Sequence, residues 1–111
     1  MASSTQLLEA RSAVVDAARR LLAGEVGIIA SARTITRAAR TLDPHMEDVD
    51  LLGFIAIDSQ SDHLTVGPLL EQWHLSVREA RRQGVLEFEE FYAPEALRDA
   101  RVLLERYGKS A

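Results

Sequence analysis

Apolar residues recur at helical spacing along most of this chain. Leu7, Val14 and Leu21 repeat every seven residues, Leu8, Val15 and Leu22 repeat beside them, and Ala18 lies between, so one broad face of the first segment is apolar. Ser3 and Gln6 fit a capping box at its start, and Gly24 offers the positive φ that commonly stops a helix. A first helix is expected from Ser3 to about Ala23, with Asp16 and Arg20 paired on its wet side. Ile28, Ala32, Ile35, Ala39 and Leu42 then predict a second helix from about Glu25 to Thr41, antiparallel to the first. Arg33, Arg37 and Arg40 share its opposite face.

Asp43-Pro44 initiates a turn, and the acids that follow read as a loop whose last carboxylates lie near the next helix's N-terminus. The run LLGFIAI suits a buried strand by composition. Nothing else in the chain resembles a partner strand, however, and a lone strand leaves its backbone groups unpaired. Leu51, Phe54 and Ile57 repeat every three residues, which predicts a short helix from about Glu47 to Ile57. Ser59 and Asp62 form a second Ser-x-x-Asp pattern, expected to cap a short turn of helix ending before Gly67-Pro68, and Trp73 reads as a buried anchor.

From about Leu75 a longer helix follows from Val77, Ala80, Gly84, Phe88 and Phe91, with Gly84 read as a point of close packing. The stripe Ala96, Leu97, Ala100, Leu103, Leu104 and Tyr107 sits about 100° out of phase with that seam, so a kink or break is expected at Pro94. The fold class is therefore all-α. One domain over residues 1–111 holds a small bundle of four main helices: a helical hairpin, a short central helix and a kinked or broken C-terminal pair. Residues 1–5 and 109–111 are expected to be flexible tails.

The 111 residues suffice for one core, and 47% hydrophobic with 27% charged residues is an ordinary globular balance. Cysteine is absent, which removes disulfides, thiolate metal sites and cysteine nucleophiles. No basic region is followed by a long apolar stretch and no 18 apolar residues run together, so a cytoplasmic protein without a membrane span is expected. The net charge of −4 argues against a general nucleic-acid binder, whose affinity rests on Lys and Arg releasing counterions from phosphates. Charge is unevenly placed: residues 1–42 carry six Arg against Glu9, Asp16 and Glu25, whereas residues 43–63 carry six acids and no Lys or Arg. Internal or dimer packing explains such an asymmetry.

Asp58, Ser59, Asp62 and His63 are the densest polar cluster and a possible acid–base or metal site. As a calcium loop the stretch fails, with His63 where glycine is needed and Leu69 where the closing glutamate is needed. Capping accounts for Ser59 and Asp62 without a ligand, so no metal, cofactor or catalytic residue is assigned. His45, His63 and His74 have no i,i+4 pair, which excludes a zinc helix of the His-Glu-x-x-His kind, and no glycine-rich phosphate loop or nucleophile elbow occurs. Arg33, Arg37 and Arg40 form a possible interaction surface, with a solvated helix face as the plainer reading. A helix-turn-helix over residues 15–40 places Arg20 or Arg33 where a small or apolar residue belongs. In Leu86 to Tyr92, Phe88 and Phe91 read as core and the glutamates as wet; docking of this stretch on a basic second subunit is the alternative.

The segment Ala56 to Leu64, followed by Gly67 and Trp73, resembles a small bacterial family of uncharacterised proteins in which it reads Ile-Asp-Ser-Glu-Thr-Asp-His-Leu-Pro. Leu22-Ala23-Gly24-Glu25 and Phe91-Tyr92 fit the same resemblance, which spans most of residues 20–107 but is specific only at the centre. Gln60, Ser61 and Thr65 depart from the family pattern, and Pro68 is additional. If the missing glutamate belongs to an acidic site, Gln60 breaks that site here. The resemblance implies a helical fold and bacterial origin, and no chemistry. The leading expectation is a non-enzymatic protein-interaction module that forms a homodimer. The alternatives are a small-molecule or metal-dependent enzyme using Asp58, Asp62 and His63, and a DNA-associated regulator or antitoxin-like protein using Arg33, Arg37 and Arg40.

Overall fold

The computed structural model describes residues 2–62 and 79–108, together with the helical backbone of 75–78. Four helices follow in order: α1 (Ser4–Leu22), α2 (Ile28–Leu42), α3 (Val49–Gln60) and α4 (Leu75–Gly108), with no strand among the described residues. The all-α reading holds. The short turn before Gly67-Pro68, Trp73 and the tail at 109–111 lie outside the described residues.

Ser3 opens α1 as its sequence predicts. Its hydroxyl accepts from the Gln6 N–H at 3.1 Å and its own N–H donates to Gln6 Oε1 at 2.8 Å, a reciprocal capping box. Ser4 and Thr5 are thus helical rather than part of a tail. Val14, Ala17, Ala18 and Leu21 are buried, and the chain leaves the helix through Gly24 at φ +76°. Arg20 pairs with Glu25 at 3.5 Å across this turn instead of with the expected Asp16.

α2 begins at Ile28, three residues later than its spacing predicts. Gly27 is the N-cap and has no side chain to offer the free N–H groups; a carboxylate from α4 does so instead, with Glu89 Oε2 accepting from the Ile29 N–H at 2.9 Å. A Cβ on Gly27 would stand 2.7 Å from that oxygen, so glycine keeps the place clear. The predicted stripe Ile28, Ala32, Ile35 and Ala39 is buried.

The acids between α2 and α3 organise the loop. Asp43 accepts from the N–H groups of Glu47 and Asp48 at 3.0 and 2.8 Å, and Asp48 caps α3 by accepting from the Asp50 N–H at 3.0 Å. Leu51, Phe54 and Ile57 face inward at their three-residue spacing, and Phe54, fully buried, contributes about 2–3 kcal/mol of transfer free energy. α3 continues to Gln60, so Ser59 lies inside it and caps nothing. Ser61, the C-cap residue, is fully buried and donates to the Asp58 carbonyl at 3.1 Å. The apolar register of α3 carries the helix through Ser59, so the serine cannot open a new one.

α4 neither breaks nor restarts at Pro94; it is one helix of 34 residues. At 1.5 Å per residue such a helix spans about 51 Å, close to the molecule's long dimension of 48 Å. One core joins all four helices, with Ala96, Ala100, Leu103 and Tyr107 as the buried contribution of α4. No described helix is long and apolar enough to cross a membrane.

Candidate functional site

The two sequence clusters meet at Arg33. Arg33 Nε lies 3.9 Å from Asp58 Oδ1, and Arg33 Nη2 donates to the Ser61 carbonyl at 3.3 Å, so the arginine row of α2 and the polar end of α3 touch. Ser59 and Asp62 stay exposed and outside these contacts, while His63 lies beyond the described residues. On α4, the Tyr92 hydroxyl donates to Gln60 Oε1. These contacts tie α2, α3 and α4 together at one end of the bundle. Among the described residues no group of three or more His, Asp or Glu is arranged to hold a metal ion.

With Arg33 engaged, only Arg37 and Arg40 of the proposed surface remain exposed, and neither has an ion-pair partner among the described residues. Two cations are a small footprint for phosphate recognition, where each neutralised charge adds one increment of affinity.

A second polar network gave no sequence signal. Arg106 Nη1 donates to Asp48 Oδ1 at 2.8 Å and to Asp50 Oδ2 at 2.6 Å, and the Tyr107 hydroxyl donates to Asp48 Oδ2 at 3.0 Å. Arg11 and Arg106 approach the Tyr107 ring with their guanidinium carbons 4.9 and 5.1 Å from its centroid. Hydrogen bonding from Arg106 holds the Asp48 carboxyl below the usual carboxylate range, and the same contact pushes the guanidinium of Arg106 up. Burial raises the Tyr107 phenol, with Asp48 adding to the rise. Asp48, Asp50 and Arg106 answer one another within the chain. The network clamps the carboxyl end of α4 to the start of α3.

Charge and apolar surface are left unanswered elsewhere. Phe91 is 77% exposed and Leu86 49% exposed, within a stretch from Leu86 to Glu95 that carries four glutamates and no Lys or Arg. The reading of Phe91 as core is corrected: Phe88 packs against the core, while Phe91 is exposed and makes a T-shaped contact with Tyr92, ring centroids 5.0 Å apart. Gly84 is corrected too, since a Cβ there would meet nothing within 4 Å.

No protein-family model, curated protein or solved structure matches the chain. The surface itself is then the ground for a functional reading. Monomeric proteins scatter single apolar residues over their surfaces; at Phe91 the exposed residue is an aromatic, a type enriched at interfaces, with glutamates around it. Exposed aromatics were visible in the sequence as a periodic series; what the series could not tell is which members find cover inside the chain.

Proposed function

We propose that this chain is a non-enzymatic protein-interaction module that works as a homodimer through the outward face of the amino-terminal half of α4. Its main support is the 77% exposure of Phe91 amid Glu87, Glu90 and Glu95. A buried aromatic anchor ringed by charge is the usual core of an interface, and leaving it in water wastes the largest apolar area of that stretch. The reading takes the protein as cytoplasmic and, through the resemblance in residues 56–64, as bacterial.

The alternatives have less support. Asp58 faces Arg33 rather than a cavity with a nucleophile, and the DNA reading retains only Arg37 and Arg40. Sedimentation velocity across a concentration series tests the proposal. The wild-type chain should dimerise, and Phe91→Ser should weaken the dimer by about 2 kcal/mol, roughly thirtyfold, with unchanged helicity. A wild-type chain that stays monomeric throughout the series would sink the reading.

A further inference from the structure

One face of α1 carries exposed side chains beside the end of α4. Leu8 is 66% exposed, Arg19 is exposed, Arg11 and Val15 are half-buried, and together with Ser12 they line a cavity of about 360 Å³ beside Tyr107. The face has an apolar floor and basic flanks: Arg11, Val15 and Arg19 succeed one another at four-residue steps. On α4, Glu87, Phe91 and Glu95 succeed one another at the same steps. Residues four apart lie one above the other on a helix, and the outer members of each triplet are about 12 Å apart at 1.5 Å per residue. One triplet is base, apolar, base; the other is acid, aromatic, acid.

Among the described residues each triplet keeps at least one charged end without an ion-pair partner. Among the described residues Arg19 and Glu95 have no ion-pair partner, and Glu87 accepts from Gln83 at 3.2 Å. Arg11 is held by Tyr107 and by the Arg106 carbonyl, yet its Nε is buried without a hydrogen-bond partner. The complement in charge and spacing that each face lacks is the other face.

We infer that the Arg11–Val15–Arg19 face of one copy receives the Glu87–Phe91–Glu95 face of a second copy, with Phe91 seated against Leu8 and Val15 and the carboxylates on the flanking guanidiniums. The inference rests on the homodimer reading above and names its second surface. In a two-fold arrangement each copy gives one face and receives the other, so the contact is made twice and the assembly closes at two chains. The occupant is a second copy rather than a foreign helix because charge and spacing are complementary within this one sequence.

Charge reversal tests the pairing. Arg19→Glu, on an exposed position, is expected to weaken dimerisation about tenfold or more in sedimentation velocity, while circular dichroism stays unchanged. Adding Glu87→Arg or Glu95→Arg to that variant is expected to restore most of the loss, and the one that does so reports the relative direction of the two helices. If Arg19→Glu dimerises as tightly as wild type while Phe91→Ser does not, docking on α1 is overturned and the homodimer stands. A loss that neither reversal relieves also overturns it. A monomeric wild-type chain removes both.

Discussion

Between Ala96 and Tyr107, α4 buries Ala96, Ala100, Leu103 and Tyr107; between Glu79 and Glu95 it buries no residue. Both halves belong to one helix and both are periodic in sequence. The difference lies in what stands beside them. α3 has 12 residues and reaches about 18 Å, so among the described residues a helix of 34 residues extends well beyond it. The carboxyl-terminal half is held by apolar packing. The amino-terminal half is held by polar ties at its inner end, Glu89 to the Ile29 N–H and Tyr92 to Gln60, with Phe88 against the core. Helical periodicity therefore reports an apolar face, and only the surrounding elements decide whether that face is core or contact surface.

Truncating one leucine in each half should break the comparison most sharply. Leu103→Ala removes a fully buried side chain among all four helices and is expected to cost about 3 kcal/mol in urea denaturation, the lost transfer term plus a cavity. Leu86→Ala, half exposed, is expected to stay within about 0.5 kcal/mol of wild type. Equal losses at the two positions would mean that the overhang is packed within the chain and that its exposure is not a property of the protein in solution.

Pro94 marks the boundary between the halves and gives the next largest effect. Proline inside a helix removes one backbone donor and crowds the carbonyl four residues back, here that of Glu90 on the exposed side. Since α4 continues through it, Pro94→Ala should raise stability by about 1–3 kcal/mol, read as an upward shift of the urea midpoint. A fall in stability would show instead that the proline's local geometry is needed to bring Glu89 and Tyr92 onto α2 and α3.

How much of this was legible in the sequence depends on how local the cause was. Ser3 with Gln6, Gly24 and the Leu51, Phe54, Ile57 spacing lie within a few residues of their effects, and each is found as read. Of the two seven-residue series in α1, Val14 and Leu21 are buried and Val15 and Leu22 partly so, but the first members, Leu7 and Leu8, are 41% and 66% exposed; the neighbours decide how far along the helix the stripe is covered. The Ser59 and Asp62 pattern misled because a four-residue signature competes with a helix already running with its apolar face buried. The clamp of Arg106 on Asp48 and Asp50 spans 58 and 56 residues of chain, and no spacing rule reaches across that distance. The end of α3 and the arginine row of α2 were both singled out, but their meeting at Arg33 and Asp58 is a tertiary fact.

The start of α2 carries the smallest and most particular test, because there the two regions of the molecule exchange a hydrogen bond. An N-cap normally supplies its own acceptor, and replacing a capping side chain by alanine costs about 1 kcal/mol. Here the N-cap is glycine and the acceptor comes from Glu89, 60 residues away, on the half of α4 that apolar packing does not hold. The carboxylate also sits at the positive end of α2, where the helix dipole favours it. Glu89→Ala should therefore cost about 1 kcal/mol, a capping loss caused by a residue in another helix. Glu89→Gln keeps an acceptor oxygen but drops the charge, so it should lose only part of this and lose its dependence on salt. Hydrogen exchange at Ile29 reads the bond directly: its amide should exchange faster in Glu89→Ala while the amides of α1 keep their rates. Gly27→Ala provides the check from the opposite side, since its Cβ would push Glu89 Oε2 from 2.7 Å and should accelerate the same amide. If Ile29 exchanges at the wild-type rate in both variants, the overhang is not tied to α2, and the exposed Phe91 face has no fixed orientation to present.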